Sequence, residues 1–186
     1  MKRLLDLLIS LMILLILSPL LASVMLLVKL TSTGPVFFKQ QRIGKCGSVF
    51  EIYKFRTMTN RIRDFSLQVT NETNEVTFIG KVIRRLKVDE LPQLFNVLKG
   101  DMSLVGPRPC LPSLVDEFND DGRARLKVRP GLTGLAQVSG NIYLSWEERW
   151  KLDRKYVENQ SLLFDLKIIL RTVAVVFFGE KWGKKA

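Results

Sequence analysis

The sequence contains no histidine. Its absence removes the Ser-His-Asp triad, the Cys-His pair, His-ligated zinc and the imidazole general base. Any catalysis must rest on carboxylates, Lys, Arg, Tyr or a carboxylate-bound metal. Cysteine is nearly as scarce: Cys46 and Cys110 are far apart and form no CxxC pattern, which points to a reducing compartment rather than a disulfide framework. Neither a GxGxxG fingerprint nor a Walker A motif occurs, so dinucleotide binding and P-loop ATPase chemistry lose support. No internal repeat or low-complexity tract interrupts the 186 residues, a length that suits one compact domain plus a membrane segment.

What is present is positive charge and one dense apolar block. The formal net charge is +11, which favours polyanionic partners such as nucleic acid, an anionic leaflet or a phosphorylated substrate. Leu4 to Leu30 is almost wholly apolar, interrupted by Asp6, Ser10, Ser18, Pro19, Ser23 and Lys29. A bilayer core needs about 20 apolar residues as straight helix, so the block is long enough to span. It is longer than the apolar core of about 7–15 residues usual in a signal peptide, and no clear small-x-small cleavage site follows it. Pro19 removes a helical donor and kinks the chain, while Ser18 can bond the carbonyl so freed. Lys2 and Arg3 precede the block, and Lys29, Lys39, Arg42 and Lys45 follow it. Basic residues on both flanks fit a segment that returns to the cytoplasmic face. The residues alone leave a re-entrant hairpin and a kinked span both open.

Beyond residue 30 the pattern is mixed. Thr31 to Met58 reads as a β-hairpin, with strands at Pro35–Phe38 and Val49–Phe55 around a Gly44-Lys45-Cys46-Gly47 turn. Asn60 to Thr77 reads as a polar loop with room for a short helix. Pro92 to Lys99 reads as a short helix stopped by Gly100, with Leu91, Leu94, Phe95 and Leu98 on one face. Pro107-Arg108-Pro109 must be extended and stiff. Arg129-Pro130-Gly131 and Gly134 mark a turn-rich loop, and Trp146 to Glu158 a charged helix. Ser161 to Phe178 is apolar but carries Asp165, Lys167 and Arg171. It suits either a helix packed on the core or one lying in the headgroup plane.

The chemistry gathers around Asp89-Glu90. A carboxylate pair at a helix start is ordinarily capping. Here Arg84, Arg85 and Lys87 precede the pair, and Lys99 and Arg108 follow it. Mg²⁺ is held by one or two carboxylates plus substrate phosphates, and a guanidinium fork matches phosphate oxygens. Arg108, between two prolines, is fixed before any ligand arrives; its plainer role is to cap a helix or pair with Asp101. Lys54 and Arg56 share a strand face, either solvated or forming a phosphate wall. The Arg129–Gly134 segment fits a loop approaching a nucleotide, a weak signal alone.

Lys54-Phe55-Arg56-Thr57-Met58, the run from Asp89 to Ser103, Val105-Gly106-Pro107-Arg108-Pro109 and the run from Arg129 to Val138 follow one another in order. Together they resemble the bacterial sugar transferase family of monotopic phosphoglycosyl transferases, from the apolar block to about Trp150. The resemblance implies a small mixed α/β (α+β) catalytic domain, residues 31–186, seated on the membrane. Residues 1–30 would be a re-entrant membrane helix broken at Ser18-Pro19, with amphipathic helices at the interface. It implies transfer of sugar-1-phosphate from a UDP-sugar to undecaprenyl phosphate on the cytoplasmic face of the bacterial inner membrane, releasing UMP. Asp89 would carry the covalent phospho-sugar and sit beside Mg²⁺, and Glu90 would assist by deprotonating or orienting the acceptor phosphate. Lys54, Arg84, Arg108, Arg129 and Gln137 would face substrate and phosphate. Larger relatives carry further transmembrane helices and a domain in front, of which this chain would be the catalytic core. Asn60–Thr77 and Gly140–Leu144 match least and leave the sugar open; the oligomeric state, homo-oligomer included, is open too. Two rivals remain: a metal-dependent glycosyltransferase or phosphodiesterase releasing UDP or a sugar phosphate, and a non-enzymatic basic adaptor. Nucleic acid is not expected, because the basic residues interleave with Asp89-Glu90 and form no stripe.

Overall fold

The computed structural model describes residues 1–58 and 76–185, with side chains to Gly183. The polar stretch read over Asn60–Thr77 therefore lies outside the described residues, except for Val76 and Thr77. Val76 forms an antiparallel bridge with Met58, and the Thr77 hydroxyl accepts from Gly80 N at 2.9 Å, capping the helix that follows.

Helix α1 runs from Lys2 to Thr31 without interruption, so the backbone is not broken at Ser18-Pro19, where the sequence led us to expect a break. In a regular helix residue 19 would donate to the carbonyl of Leu15, and proline cannot. Ser18 Oγ donates to Leu15 O at 2.8 Å instead, and Ser23 Oγ donates to Pro19 O at 2.9 Å. The carbonyl that proline strands is thus satisfied within the segment, as an apolar surrounding requires. One flank of α1 is buried through Ser10, Leu14, Leu21, Val24 and Val28, while Leu8, Leu11, Leu15, Ile16 and Leu27 stand exposed.

Strands β1 (Phe37–Ile43) and β2 (Val49–Phe55) form the expected hairpin in register Phe37 to Phe55 and Ile43 to Val49. The first strand begins two residues later than the sequence suggested and runs on to Ile43. The turn between them holds Cys46 at φ 56°. Helices α2 (Phe78–Arg85) and α3 (Gln93–Lys99) follow, and Gly100 ends α3 at φ 101°. The sequence reading put Leu91, Leu94, Phe95 and Leu98 on one face. In the structure Phe95 points outward, while Leu94, Val97 and Asn96 are buried. The reason is that α3 packs on two sides. Leu94 joins α1 in the main core, and Val97 joins Ile52 and Met102 beneath the hairpin. Asn96 is the polar link: Tyr53 N donates to its Oδ1 at 3.1 Å, and its Nδ2 donates to Glu51 O at 2.7 Å. A buried amide so satisfied locks α3 to β2.

Strand β3 (Ser103–Val105) pairs in parallel with β4 (Gly131–Thr133). The turn-rich loop expected at Arg129–Gly134 is therefore partly a strand, and its glycines serve backbone approach. A Cβ on Gly131 would lie 2.1 Å from Gly106 N, and one on Gly134 2.1 Å from Gly106 O. Helix α4 (Asp120–Ala124) precedes β4 in the chain and α5 (Leu135–Val138) follows it. Helix α6 (Trp146–Glu158) occupies the predicted span and opens with a reciprocal capping box between Ser145 and Glu148. Helix α7 (Leu162–Phe178) packs on the core through Ile168 and Val175, while Leu163, Leu166, Leu170 and Phe177 are exposed. A short α8 (Glu180–Lys185) ends the described chain. Cys46 and Cys110 are both free thiols.

Both ends of α1 are bonded to this one domain. At its start, Lys2 Nζ meets Asp165 Oδ2 at 2.6 Å and Val105 O at 3.2 Å. Arg3 donates to Leu98 O and Met102 O, and Asp6 accepts from Ser103 Oγ at 2.7 Å. At its end, Arg56 Nη2 donates to Ser32 O at 2.7 Å and Ser32 Oγ at 2.8 Å. Tyr156 completes the first cluster, donating toward both Val105 O and Asp165 Oδ1. Asp165→Ala strips Lys2 and Tyr156 of their shared acceptor. It should cost about 1–3 kcal/mol, read as a lowered melting temperature of the detergent-solubilised protein, whereas Leu163→Ala on the exposed face should leave the midpoint unchanged.

Candidate active site

Three segments meet at the carboxylate pair: the end of β2, the turn entering α3 and the loop leaving β3. Lys87 takes a left-handed conformation at φ 57°, uncommon for a side chain with a Cβ. That reversal starts a single 3₁₀ turn, Val88–Glu90, which runs into α3 through Leu91 and Pro92. Lys87 is held there by Glu180 of α8, Nζ to Oε1 at 2.6 Å. Neither carboxylate accepts a backbone N–H of α3 among the described residues, so capping does not account for the pair.

Glu90 is instead the centre of an ion cluster. Arg108 Nη2 lies 2.6 Å from its Oε1 and Nη1 3.3 Å from its Oε2. Lys54 Nζ, reaching from β2, is 2.7 Å from Oε1. Burial alone would raise the pKa of Glu90, but the charges and hydrogen bonds of Arg108 and Lys54 hold it well below the usual carboxylate range. Lys54 is itself lowered, by burial first and by Arg108 against the pull of Glu90. Arg108 is raised chiefly by Glu90. Glu90 is therefore a permanent anion with both oxygens engaged, and it fixes two cations in place. Arg108 still has unused N–H donors, and its side chain is 42% exposed.

Asp89 is the contrast. Its carboxylate makes no hydrogen bond or ion pair with a described residue, although Lys54, Arg84 and Lys87 act on it through space. Its pKa is raised, by burial first and by the neighbouring Glu90 second. One carboxylate is saturated and the other has no direct partner among the described residues, the kind of difference that unlike environments impose on paired acids.

Arg84 is anchored by Nε to Thr57 Oγ1 at 2.7 Å, which sets its charge near Asp89. Arg56, paired with Lys54 in the sequence reading, turns away to Ser32 and is buried. Asp101 accepts from Asn96, not from Arg108. Arg129 sits at the opposite end of α3, Nε to Gly100 O at 2.8 Å, where with Arg3 it covers the last carbonyls of that helix. Gln137 donates to Leu132 O at 3.0 Å in the turn after β4. The structure thus gathers Lys54, Arg84, Asp89, Glu90 and Arg108, and does not bring Arg129 or Gln137 to the carboxylates. It adds groups that sequence spacing could not disclose. The Lys87–Glu180 pair bridges 93 residues. Arg149 stacks on Trp146 at 4.6 Å, and its pKa is lowered by burial and then by the charge of Arg108.

Among the described residues no group of three or more His, Cys, Asp or Glu forms a metal cage. A lone free carboxylate beside arginines does fit Mg²⁺, which binds through one or two carboxylates, its own waters and substrate phosphates. Asp89 is the available ligand, since Glu90 is fully engaged.

Residues 1–179 match the model of a family described as bacterial sugar transferase. The chain is 44% identical over 179 residues to the uncharacterized sugar transferase EpsL of Bacillus subtilis, covering 96% of this chain and 88% of that protein. It is 42% identical to a UDP-N-acetylgalactosamine-undecaprenyl-phosphate N-acetylgalactosaminephosphotransferase of Aeromonas hydrophila, over 96% of this chain and 44% of that one. It is likewise 42% identical to the UDP-glucose:undecaprenyl-phosphate glucose-1-phosphate transferase of Klebsiella pneumoniae, over 96% and 40%. The chain therefore spans less than half the length of these two relatives and most of the first.

Proposed function

We propose that this chain, which belongs to the bacterial sugar transferase family, moves sugar-1-phosphate from a UDP-sugar to undecaprenyl phosphate through an ester on Asp89. The observation that carries the reading is the unequal pair: Asp89 without a hydrogen-bond or ion-pair partner among the described residues, Glu90 neutralised by Arg108 and Lys54. The relatives named for undecaprenyl-phosphate transfer support the substrate classes.

In the first half-reaction a carboxylate oxygen of Asp89 attacks the β-phosphorus of the UDP-sugar. The bond from that phosphorus to the bridging oxygen breaks, and UMP leaves with the electron pair. In the second half-reaction an oxygen of undecaprenyl phosphate attacks the same phosphorus, displacing Asp89 and forming the undecaprenyl-diphosphate sugar. Carboxylates serve as nucleophiles in this way in aspartyl-phosphate enzymes. Arg108, Lys54 and Arg84 hold the phosphates in line and offset the charge gathering on the leaving group. Glu90 orients Arg108 and Lys54; an acid held so far below its usual range is a poor proton acceptor. Mg²⁺, bound at Asp89, would screen the diphosphate from the carboxylates.

Intact-protein mass spectrometry after adding UDP-sugar without acceptor should show a phospho-sugar adduct on wild type. Asp89→Asn should lose the adduct and on the order of a thousandfold in turnover while keeping its melting temperature. Release of UDP instead of UMP would favour a glycosyltransferase, and normal turnover by Asp89→Asn would reject Asp89 as nucleophile.

Attack requires ionised Asp89, so activity should fall as pH drops through its raised pKa. The acid limb should lie above the ordinary aspartate range. Glu90→Gln removes a neighbouring negative charge, so the limb of its residual activity should move to lower pH; no movement, or movement upward, would contradict the assignment.

The lipid acceptor requires a site at the membrane surface, and the two-ended attachment of α1 supports a re-entrant topology. A crossing helix would carry one end through about 30 Å of hydrocarbon, away from the domain to which both ends are bonded. With Cys46→Ser as background, Lys2→Cys and Gln40→Cys should both resist an impermeant thiol reagent applied outside intact cells and react after permeabilisation. External labelling at position 2 would mean that the segment spans.

A further inference from the structure

Among the described residues, the backbone of the loop that presents Arg108 is held through its carbonyls. Pro107 and Pro109 have no N–H, so the segment cannot be pinned as a strand through those positions. Four consecutive carbonyls are bonded from four places instead. Gly131 N donates to Pro107 O at 2.9 Å, and Ile43 N donates to Cys110 O at 3.0 Å. Between them, Arg125 Nη2 donates to Arg108 O, and Arg42 Nη1 donates to Pro109 O at 3.4 Å. Two of these four donors are therefore guanidinium groups of residues far from the carboxylate pair in sequence.

Arg125 is built for the task. It is buried, stacks on the Phe118 ring at 5.4 Å, and meets Asp153 Oδ2 of α6 at 3.4 Å. Burial lifts Asp153 to about 6, against the charges of Arg125 and Arg149, and the contact pairs a carboxylate with a guanidinium. A buried ion pair is a poor source of net stability, because desolvating both ions offsets their attraction. Its worth here lies in direction: Asp153 keeps the Arg125 fork aimed at the carbonyl of Arg108, whose side chain forks onto Glu90.

We infer that Arg125, aimed by Asp153, and Arg42 are positioning residues for phosphate transfer, acting through Arg108 by clamping the backbone carbonyls of its double-proline loop. The inference rests on the role given to Arg108 in the proposed reaction. Outer-layer bonds of this kind are worth about 10–100-fold where they orient a metal ligand or catalytic group.

The test is a pair of double-mutant cycles on the full chain in detergent or nanodiscs, reading UMP release with UDP-sugar and undecaprenyl phosphate. Arg108→Lys keeps the charge but loses the fork. Asp153→Asn should lower kcat about tenfold in the wild-type background, and by less than about twofold in the Arg108→Lys background. Asp153→Glu should restore part of the loss. Arg42→Gln, on the half-buried rim, probes the same loop without disturbing the buried pair and should show the same non-additivity, so a misfolded Asp153→Asn leaves the question decidable. Equal losses in both backgrounds would overturn the inference and make the clamp a matter of general stability. If Arg108→Lys itself leaves UMP release unchanged, it is the role of Arg108 in the reaction that fails.

Discussion

The site depends on one arrangement of charge, the fork of Arg108 and the ammonium of Lys54 closing on Glu90. Two adjacent carboxylates on a single helical turn repel each other and would also repel an incoming diphosphate. Neutralising one of them removes most of that repulsion. The same contact draws together three segments that are distant in the chain, the end of β2, the turn before α3 and the loop after β3. The electrostatics of the reaction and the assembly of the site are therefore the same interaction. Nothing comparable holds Asp89, whose raised pKa reflects burial and the presence of its neighbour.

Around that centre the polypeptide supplies rigidity from backbone contacts rather than from a large core. Gly106, Gly131 and Gly134 allow the β3–β4 pair and the turn after it to approach more closely than any side chain would allow. Asn96 ties α3 to the hairpin that carries Lys54. The left-handed Lys87, a conformation most side chains avoid, is secured from α8. Each device fixes one of the three segments, so the carboxylates and cations meet without rearrangement.

Much of this was legible in the residues, and the pattern of what was not is informative. Local signals held. The hairpin, the charged helix from Trp146 and the stop at Gly100 follow from side-chain alternation, capping and glycine, which act over a few residues. Serine beside Pro19 announced its compensating bond for the same reason. The misreadings all involve partners far away. Phe95 belongs by periodicity to the face of Leu94, but α3 is buried on two sides and helical period cannot report a second neighbour. Arg129-Pro130-Gly131 looked like a loop because its strand partner lies at Ser103–Val105. Arg129 itself was grouped with the phosphate-facing residues by motif, yet it covers carbonyls at the far end of α3. Glu180, Arg125 and Asp153 carried no local mark, since their roles exist only once the chain has folded.

The attachment of α1 has a consequence for biogenesis. Lys2 finds its acceptor at Asp165, 163 residues later, and Asp6 finds its donors at Ser103 and Leu104. When the apolar segment leaves the ribosome, none of these partners has been synthesised. The start of the helix therefore docks onto the domain only after translation is nearly complete.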